Sequence, residues 1–346
     1  MKTDQYKIFI GSYGSTDQET IHWLNWKEGH WEKLAAVSGV ENPSFLSFNH
    51  SQSHLFSVSE VEKGELISYK LDHDERRMKE MNRQSTNGWA PCYVENLKDQ
   101  YLFTANYGGG NIIVHPVAQD GKIMPFCAEF DFSDIANEKG LTSHPHTIRQ
   151  IPSTDRYMVA DLGLNCLFIY EFNPIEGKLD LIEEIEAPEG SGPRHIAFHP
   201  SLNIVYVVNE LNSSILTYSY QDKGENFKKL LQNIATIPSD WEGANYCADI
   251  HITPSGSFLF VSNRGHHSIA SYFVSNNGLL EVYAYTNCKG EWPRNFAISP
   301  DEKYIFVANE HTHNIVTFQL EGNGDLLEIG NPYSIHRPVC IKIQEI

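Results

Sequence analysis

Seven times along this chain an apolar, strand-like run ends in a small or amide side chain: IFIGS, LFSVS, LFTAN, YMVAD, VYVVN, LFVSN and IFVAN. The closing residues are Ser12, Ser59, Asn106, Asp161, Asn209, Asn263 and Asn309, at intervals from 46 residues (Asn263 to Asn309) to 55 (Asn106 to Asp161). A recurrence of that length marks a repeat architecture, in which each unit buries its apolar face only against its neighbours.

A second block recurs with it: PSFLSFNH from Pro43, PCYVENLK from Pro91, PHTIRQIP from Pro145, PRHIAFHP from Pro193, CADIHITP from Cys247, PRNFAISP from Pro293 and PVCIKIQ from Pro338. Apolar residues alternate within each block, as in a strand, and a leading proline suits an entry point that needs no ladder N–H. From block start to strand end the offset is 16 in Pro43/Ser59, Pro145/Asp161, Pro193/Asn209, Cys247/Asn263 and Pro293/Asn309, and one less in Pro91/Asn106. A tight turn between the two strands makes them antiparallel, so the start of the first lies beside the end of the second.

Two further strands follow in each unit, as in SILTYSY with FKKLLQNIA, joined across turns such as QDKGEN, NNG and GNGD. The spacing predicts an all-β, seven-bladed β-propeller with four antiparallel strands per blade, occupying 1–346 as a single domain. Its ring would be closed by joining Pro338 to Gln344 to the N-terminal strands in one blade, which leaves no free edge.

Composition narrows the partners. The chain has 346 residues, 41% hydrophobic and 20% charged, with a formal charge of −18. That charge argues against nucleic acid and anionic membranes as partners. No apolar run is long enough for a signal peptide or a membrane span. The six cysteines are scattered without a CxxC pair, as expected of reduced, mostly buried thiols in a cytoplasmic protein.

Pairing the residues after each proline with those at each strand end gives the lining of one rim. His144 and His146 fall beside Asp161, and Arg194 and His195 beside Asn209 and Glu210. Asp249 falls beside Asn263 and Arg264, and Arg294 and Asn295 beside Asn309 and Glu310. Asn106 and Tyr107 precede the turn Gly108 to Gly110. An Arg/Glu pair such as Arg294/Glu310 reads equally well as a tie between blades. By contrast, arginines gathered with histidines in so acidic a chain point to an anionic ligand, with a histidine available to activate water. The chain contains no GxSxG, HExxH or P-loop motif. Glu60, Asn106 and Asp161 could offer oxygen ligands to a cation, but the neighbouring arginines weigh against it, so no metal and no cofactor is expected.

The motifs NYGGG (Asn106 to Gly110), HPH (His144 to His146), DLG (Asp161 to Gly163), GSGPRHIAFHP (Gly190 to Pro200), VVNEL (Val207 to Leu211), SNRGHHSIA (Ser262 to Ala270) and WPRNFAISP (Trp292 to Pro300) run in order through the whole chain. Together they resemble the lactonase-type seven-bladed propeller family, which includes bacterial 6-phosphogluconolactonases and fungal carboxymuconate-lactonising enzymes. The resemblance implies a pocket at the channel mouth with His146, Arg194, Glu210 and Arg264 as active-site groups. His144, His195, Asp161, Asn106 and Arg294 are the further residues expected to bind substrate.

The expected activity is hydrolysis of a small anionic sugar lactone, foremost 6-phospho-D-glucono-1,5-lactone, within the pentose phosphate pathway. His146 or Glu210 would serve as base and the other as acid. The alternatives are a cycloisomerase of a muconate-type dicarboxylate and a non-enzymatic binding propeller. Two departures from the family pattern bear on substrate choice: DLGLNCL where DLGADRV is usual, and Asp249 where glutamate is usual.

Overall fold

Residues 4–221 and 225–344 are described by the structure, a computed structural model. They form seven four-stranded antiparallel sheets. Each apolar strand sequence alternates between the two faces of its blade, and the blades bury those faces against one another. Blade 1 joins Pro338–Gln344 to Gln5–Ser12, Ile21–Lys27 and His30–Val37, so the two ends of the chain close the ring. The innermost strands of the other blades are Leu46–Phe48, Pro91–Leu97, Pro145–Gln150, Pro193–Phe198, Tyr246–Ile252 and Pro293–Ile298. Successive inner strands contact each other around the central channel. Each recurrent apolar run is the second strand of its blade, and Gly108 to Gly110 lie in the hairpin turn between Tyr101–Asn106 and Asn111–Pro116. The turn expected at QDKGEN falls on 222–224 and so lies outside the described residues. A short helix, Ser133–Lys139, ends on left-handed Gly140 just before the HPH motif. No helix among the described residues is long and apolar enough to cross a membrane. The six cysteines form no disulfide, and all but Cys127 are buried.

The strand-end amides latch the blades. Asn263 Nδ2 donates to the Thr236 carbonyl at 2.7 Å and to Ser268 Oγ at 3.2 Å. Asn106 does the same with the Thr86 carbonyl and Asn111 Oδ1, and Asn309 with the Cys288 carbonyl and Asn314 Oδ1. Each amide ties the turn after its own hairpin to the outer strand, where the backbone would otherwise leave buried carbonyls unpaired.

Beside these latches the ladder changes register. In six blades an extra residue follows the leading position of the inner strand: Pro145 pairs with Asp161 and Thr147 with Ala160, leaving His146 unpaired. The same β-bulge frees Arg194, Cys92, Arg294 and Val339, and in blade 6 it frees Ala248 and Asp249. Strict alternation would put Arg194 on the same face as core-packed Ile196. The bulge turns it to the channel instead, the re-aiming that such irregularities provide.

Replacing Asn263 with alanine should cost about 1–3 kcal/mol, because the buried Thr236 carbonyl loses its donor. Equilibrium denaturation of N263A against the parent chain checks this.

Candidate active site

Two rings of residues meet at the mouth. The first comprises the bulged residues Cys92, His146, Arg194 and Arg294. The second comprises the residues that follow each strand end: Tyr13, Glu60, Tyr107, Leu162, Glu210, Arg264 and Glu310. The backbone brings the rings together. Glu210 N donates to the Gly192 carbonyl at 2.8 Å, Tyr107 N to Ala90, Leu162 N to His144, Glu310 N to Trp292 and Tyr13 N to Arg337. In every case the acceptor is the residue before the leading proline. Several of those acceptors (Ala90, Trp292 and Arg337 among them) hold positive φ, a conformation a side chain tolerates poorly and one that concentrates at functional sites.

Glu210 is the hinge of the mouth. Its Oε2 lies 2.9 Å from Arg194 Nε and 2.8 Å from Arg264 Nη2. Arg264 also donates to the Cys247 carbonyl at 2.9 Å and the Tyr246 carbonyl at 3.2 Å, and its guanidinium lies over the Trp292 ring, 5.5 Å from the centroid. Arg194 Nη1 donates to the Ala248 carbonyl and approaches His195 Nε2 at 3.3 Å. Gly265 lets this happen: with φ of +116°, it packs where a Cβ would sit 2.1 Å from the Ala244 carbonyl oxygen. Burial and the neighbouring Arg264 and Arg294 pull the Arg194 guanidinium down to about 10, which leaves it charged at neutral pH. Burial alone would raise Glu210; Arg264, Arg194 and Arg294 outweigh it and hold the carboxylate below its usual range.

His195 lies beneath the mouth, its ring 5.1 Å from that of His146. Its Nδ1 is 2.7 Å from Asp249 Oδ1, and Asp249 Oδ2 reaches His251 Nε2 at 2.9 Å and Asn295 Nδ2 at 2.5 Å. Both ring nitrogens of His195 are therefore engaged, and its edge meets Tyr93 and Phe45, whose rings lie 4.1 Å apart. These residues come from blades 2, 3, 5, 6 and 7 and plug the channel beneath the mouth. Burial, reinforced by Arg194, lowers His195 to about 4 against the pull of Asp249.

His146 is the open histidine. Its Nδ1 lies 3.7 Å from the Cys92 thiol, and Nε2 has no hydrogen-bond partner among the described residues. Burial, with Arg194, His195 and Arg294 close by, pushes its protonation well below the ordinary range, so it is neutral at pH 7. Cys92, His146, Arg194, His195 and Arg294 line a small chamber with room for about one water. Burial also pushes the Cys92 thiol up, so it is no thiolate. His144 stacks on Tyr107 with ring centroids 4.5 Å apart and forms a side wall, its Nδ1 2.9 Å from the Tyr107 carbonyl.

The structure thus gathers His146, Arg194, Glu210, Arg264 and Arg294 at one mouth, with His144 on the wall and His195 beneath. It does not bring Asp161 or Asn106 there. Both are fully buried. Asp161 accepts from Ser143 Oγ at 2.5 Å and from the amides of His144 and Leu164, so it shapes the HPH loop, and Asn106 is spent on its latch. The Arg294/Glu310 pair does not form either: Glu310 pairs with Arg337 at 2.7 Å. Tyr13 was missed, although its place after a strand end matches that of Glu210 and Arg264. Among the described residues no group of three or more His, Cys, Asp or Glu is arranged to hold a metal ion.

A propeller with a basic, histidine-bearing mouth in an acidic chain is the class this fold and site define. The chain matches the family described as lactonase, 7-bladed beta-propeller over residues 7–343, and it belongs to that family. It is similar to the 6-phosphogluconolactonase of Bacillus subtilis (strain 168), 31% identical over 300 residues and 84% of each chain. It is also similar to the 6-phosphogluconolactonase of Formosa agariphila, 32% identical over 306 residues, 84% of this chain and 86% of that one. Among solved structures, the periplasmic gluconolactonase PpgL of Pseudomonas aeruginosa superposes with a TM-score of 0.90 at 25% identity, covering 98% of this chain and 99% of its own.

The buried neutral histidines give the stability a definite pH dependence. A histidine held near 4 when folded and near 6.5 when unfolded stabilises the fold above 6.5, and this contribution is lost as the pH falls toward 4, at about 1.4 kcal/mol per pH unit per site. The denaturation midpoint of the parent chain should therefore decline between pH 6.5 and 4. In His195→Gln that decline should be shallower.

Proposed function

We propose that the chain hydrolyses a sugar lactone, most specifically 6-phospho-D-glucono-1,5-lactone to 6-phosphogluconate, in the cytoplasm. The observation that carries this reading is a neutral, partner-free His146 Nε2 opening on a water-sized chamber bounded by Arg194 and Arg294. Membership of the lactonase family and the names of the two bacterial relatives support the substrate class. The unpaired thiols support the location.

His146 takes a proton from water as the water attacks the ring carbonyl. The resulting tetrahedral oxyanion is met by Arg194 and Arg264, which Glu210 holds in place before substrate arrives, so little reorganisation is needed. When the carbonyl re-forms, the bond to the ring oxygen breaks and His146 returns its proton to that oxygen. The products are a carboxylate and a hydroxyl, with one proton released to solvent. Glu210 is a poor choice for the acid, since two arginines keep it ionised. Its work is to orient those arginines, and Asp249 does the same one layer down by fixing His195 against Arg194.

Lactone opening, corrected for spontaneous hydrolysis and run beside a muconate-type substrate, tests the reading. His146→Ala and Arg194→Ala should each lower kcat by about 10²–10⁴-fold with the fold intact. Glu210→Gln should lose less in kcat and more in KM, because it acts through its partners. Parent-level rates in H146A would remove His146 from the chemistry.

A further inference from the structure

The four arginines of the mouth are not equally spent. Arg264 makes hydrogen bonds to Glu210, Cys247 and Tyr246. Arg194 is held by Glu210 and the Ala248 carbonyl, and Arg337 donates to Glu310 at 2.7 Å. Arg294 makes no hydrogen bond among the described residues. Its nearest carboxylate oxygen, Glu60 Oε2, stands 3.9 Å away and already accepts the Tyr13 hydroxyl at 2.9 Å. Yet the Arg294 side chain is only 16% exposed.

A guanidinium carries five N–H donors, and leaving them unmet away from bulk water is costly. An ion pair at 3.9 Å recovers little of that cost, because loose pairs at the edge of solvent contribute little. The residue is nonetheless held in position, with its guanidinium over the Tyr13 ring, 5.2 Å from the centroid. Tyr13 is in turn fixed by Glu60 and by Arg337, 5.1 Å from the same centroid. Arg294 also borders the water-sized chamber that His146 and Arg194 border, so the three side chains share one part of the mouth.

We infer that Arg294, seated on Tyr13, is the subsite for a fixed anion on the substrate, a terminal phosphate or carboxylate set apart from the carbonyl that is opened. This rests on the hydrolase reading and divides the labour of the mouth: Arg194 and Arg264 serve the reacting end, and Arg294 selects for charge at the other. Glu60 competes weakly for Arg294 and keeps the empty site balanced.

The test compares three lactones: glucono-1,5-lactone, its 6-phosphate, and an aldonolactone bearing a terminal carboxylate. For Arg294→Gln, KM for the phosphorylated lactone should rise about 10- to 100-fold more than KM for the neutral lactone does, the worth of one or two charge-assisted hydrogen bonds. Whether the carboxylated lactone follows the phosphorylated or the neutral one separates the two anion chemistries. Arg294→Lys should fall between parent and R294Q, since it keeps the charge and loses the fork. Glu60→Gln should shift KM for the phosphorylated lactone the opposite way, which keeps the inference testable if R294Q folds poorly. Equal losses on charged and neutral lactones, or no change on either, would overturn it.

A binding titration with 6-phosphogluconate and with gluconate needs no turnover and so separates this inference from the hydrolase reading. If the parent opens no lactone but binds 6-phosphogluconate more tightly than R294Q does, the anion site stands and the hydrolase reading falls. If lactones are opened and R294Q matches the parent in both rate and binding, the anion site falls alone.

Discussion

The chemistry of the mouth depends on a one-residue irregularity repeated at the entry of the blades. A propeller blade built on strict alternation would bury His146, Arg194 and Arg294 between sheets, where a charge has no partner and costs several kcal/mol. The bulge after each leading residue turns those side chains into the channel. The strand-end residue opposite the bulge fixes its position. The carbonyl just before the leading residue then receives the amide of the neighbouring rim residue, so the bulged ring and the rim ring stay in contact. A repeat that is structural in every blade thereby becomes a set of sockets whose occupants are free to differ.

What fills the sockets is settled by charge. Glu210 is shared by two arginines, Glu310 is taken by Arg337, and Glu60 is held by a tyrosine hydroxyl. One layer below, Asp249 collects His195, His251 and Asn295, and the surrounding donors hold its carboxylate well below the usual range despite burial. In the proposed mechanism that layer positions Arg194 and takes no part in the reaction. Among the described residues, these pairings leave His146 neutral with its Nε2 open and Arg294 without hydrogen bonds, and the proposed base and anion hold rest on these two in a chain of net charge −18.

Much of this was legible in the sequence. The 16-residue offset from proline to strand end set the pairing of the two inner strands, and it holds in the register: Pro193 opposite Asn209, Pro293 opposite Asn309. Closure by Pro338–Gln344 followed from the block that had no strand after it. Side-chain direction was not legible, because alternation around Ile196 and Ile148 gives no sign of a bulge between proline and core. For the same reason the sequence does not tell that Asn106 is engaged in a latch and Asp161 in the loop before it: a strand-end polar residue looks the same whether it turns to the hairpin or to the channel. Tyr13 escaped notice, and Glu60 was weighed only as a cation ligand, because Ser12 and Ser59 looked merely structural. The residue after each, like Glu210 after Asn209, is the one that reaches the mouth. Arg294 and Glu310 were set side by side by the repeat register, with an ion pair and a ligand role left equally open, and only the geometry shows that Glu310 pairs with Arg337.

The most direct measurement is a crystal structure with 6-phosphogluconate, the product, bound. The phosphate should lie on Arg294 beside Tyr13, and the new carboxylate between Arg194 and Arg264 within hydrogen-bonding reach of His146 Nε2. Product bound with its phosphate on Arg194 and Arg264, or seated away from the mouth altogether, would contradict the account.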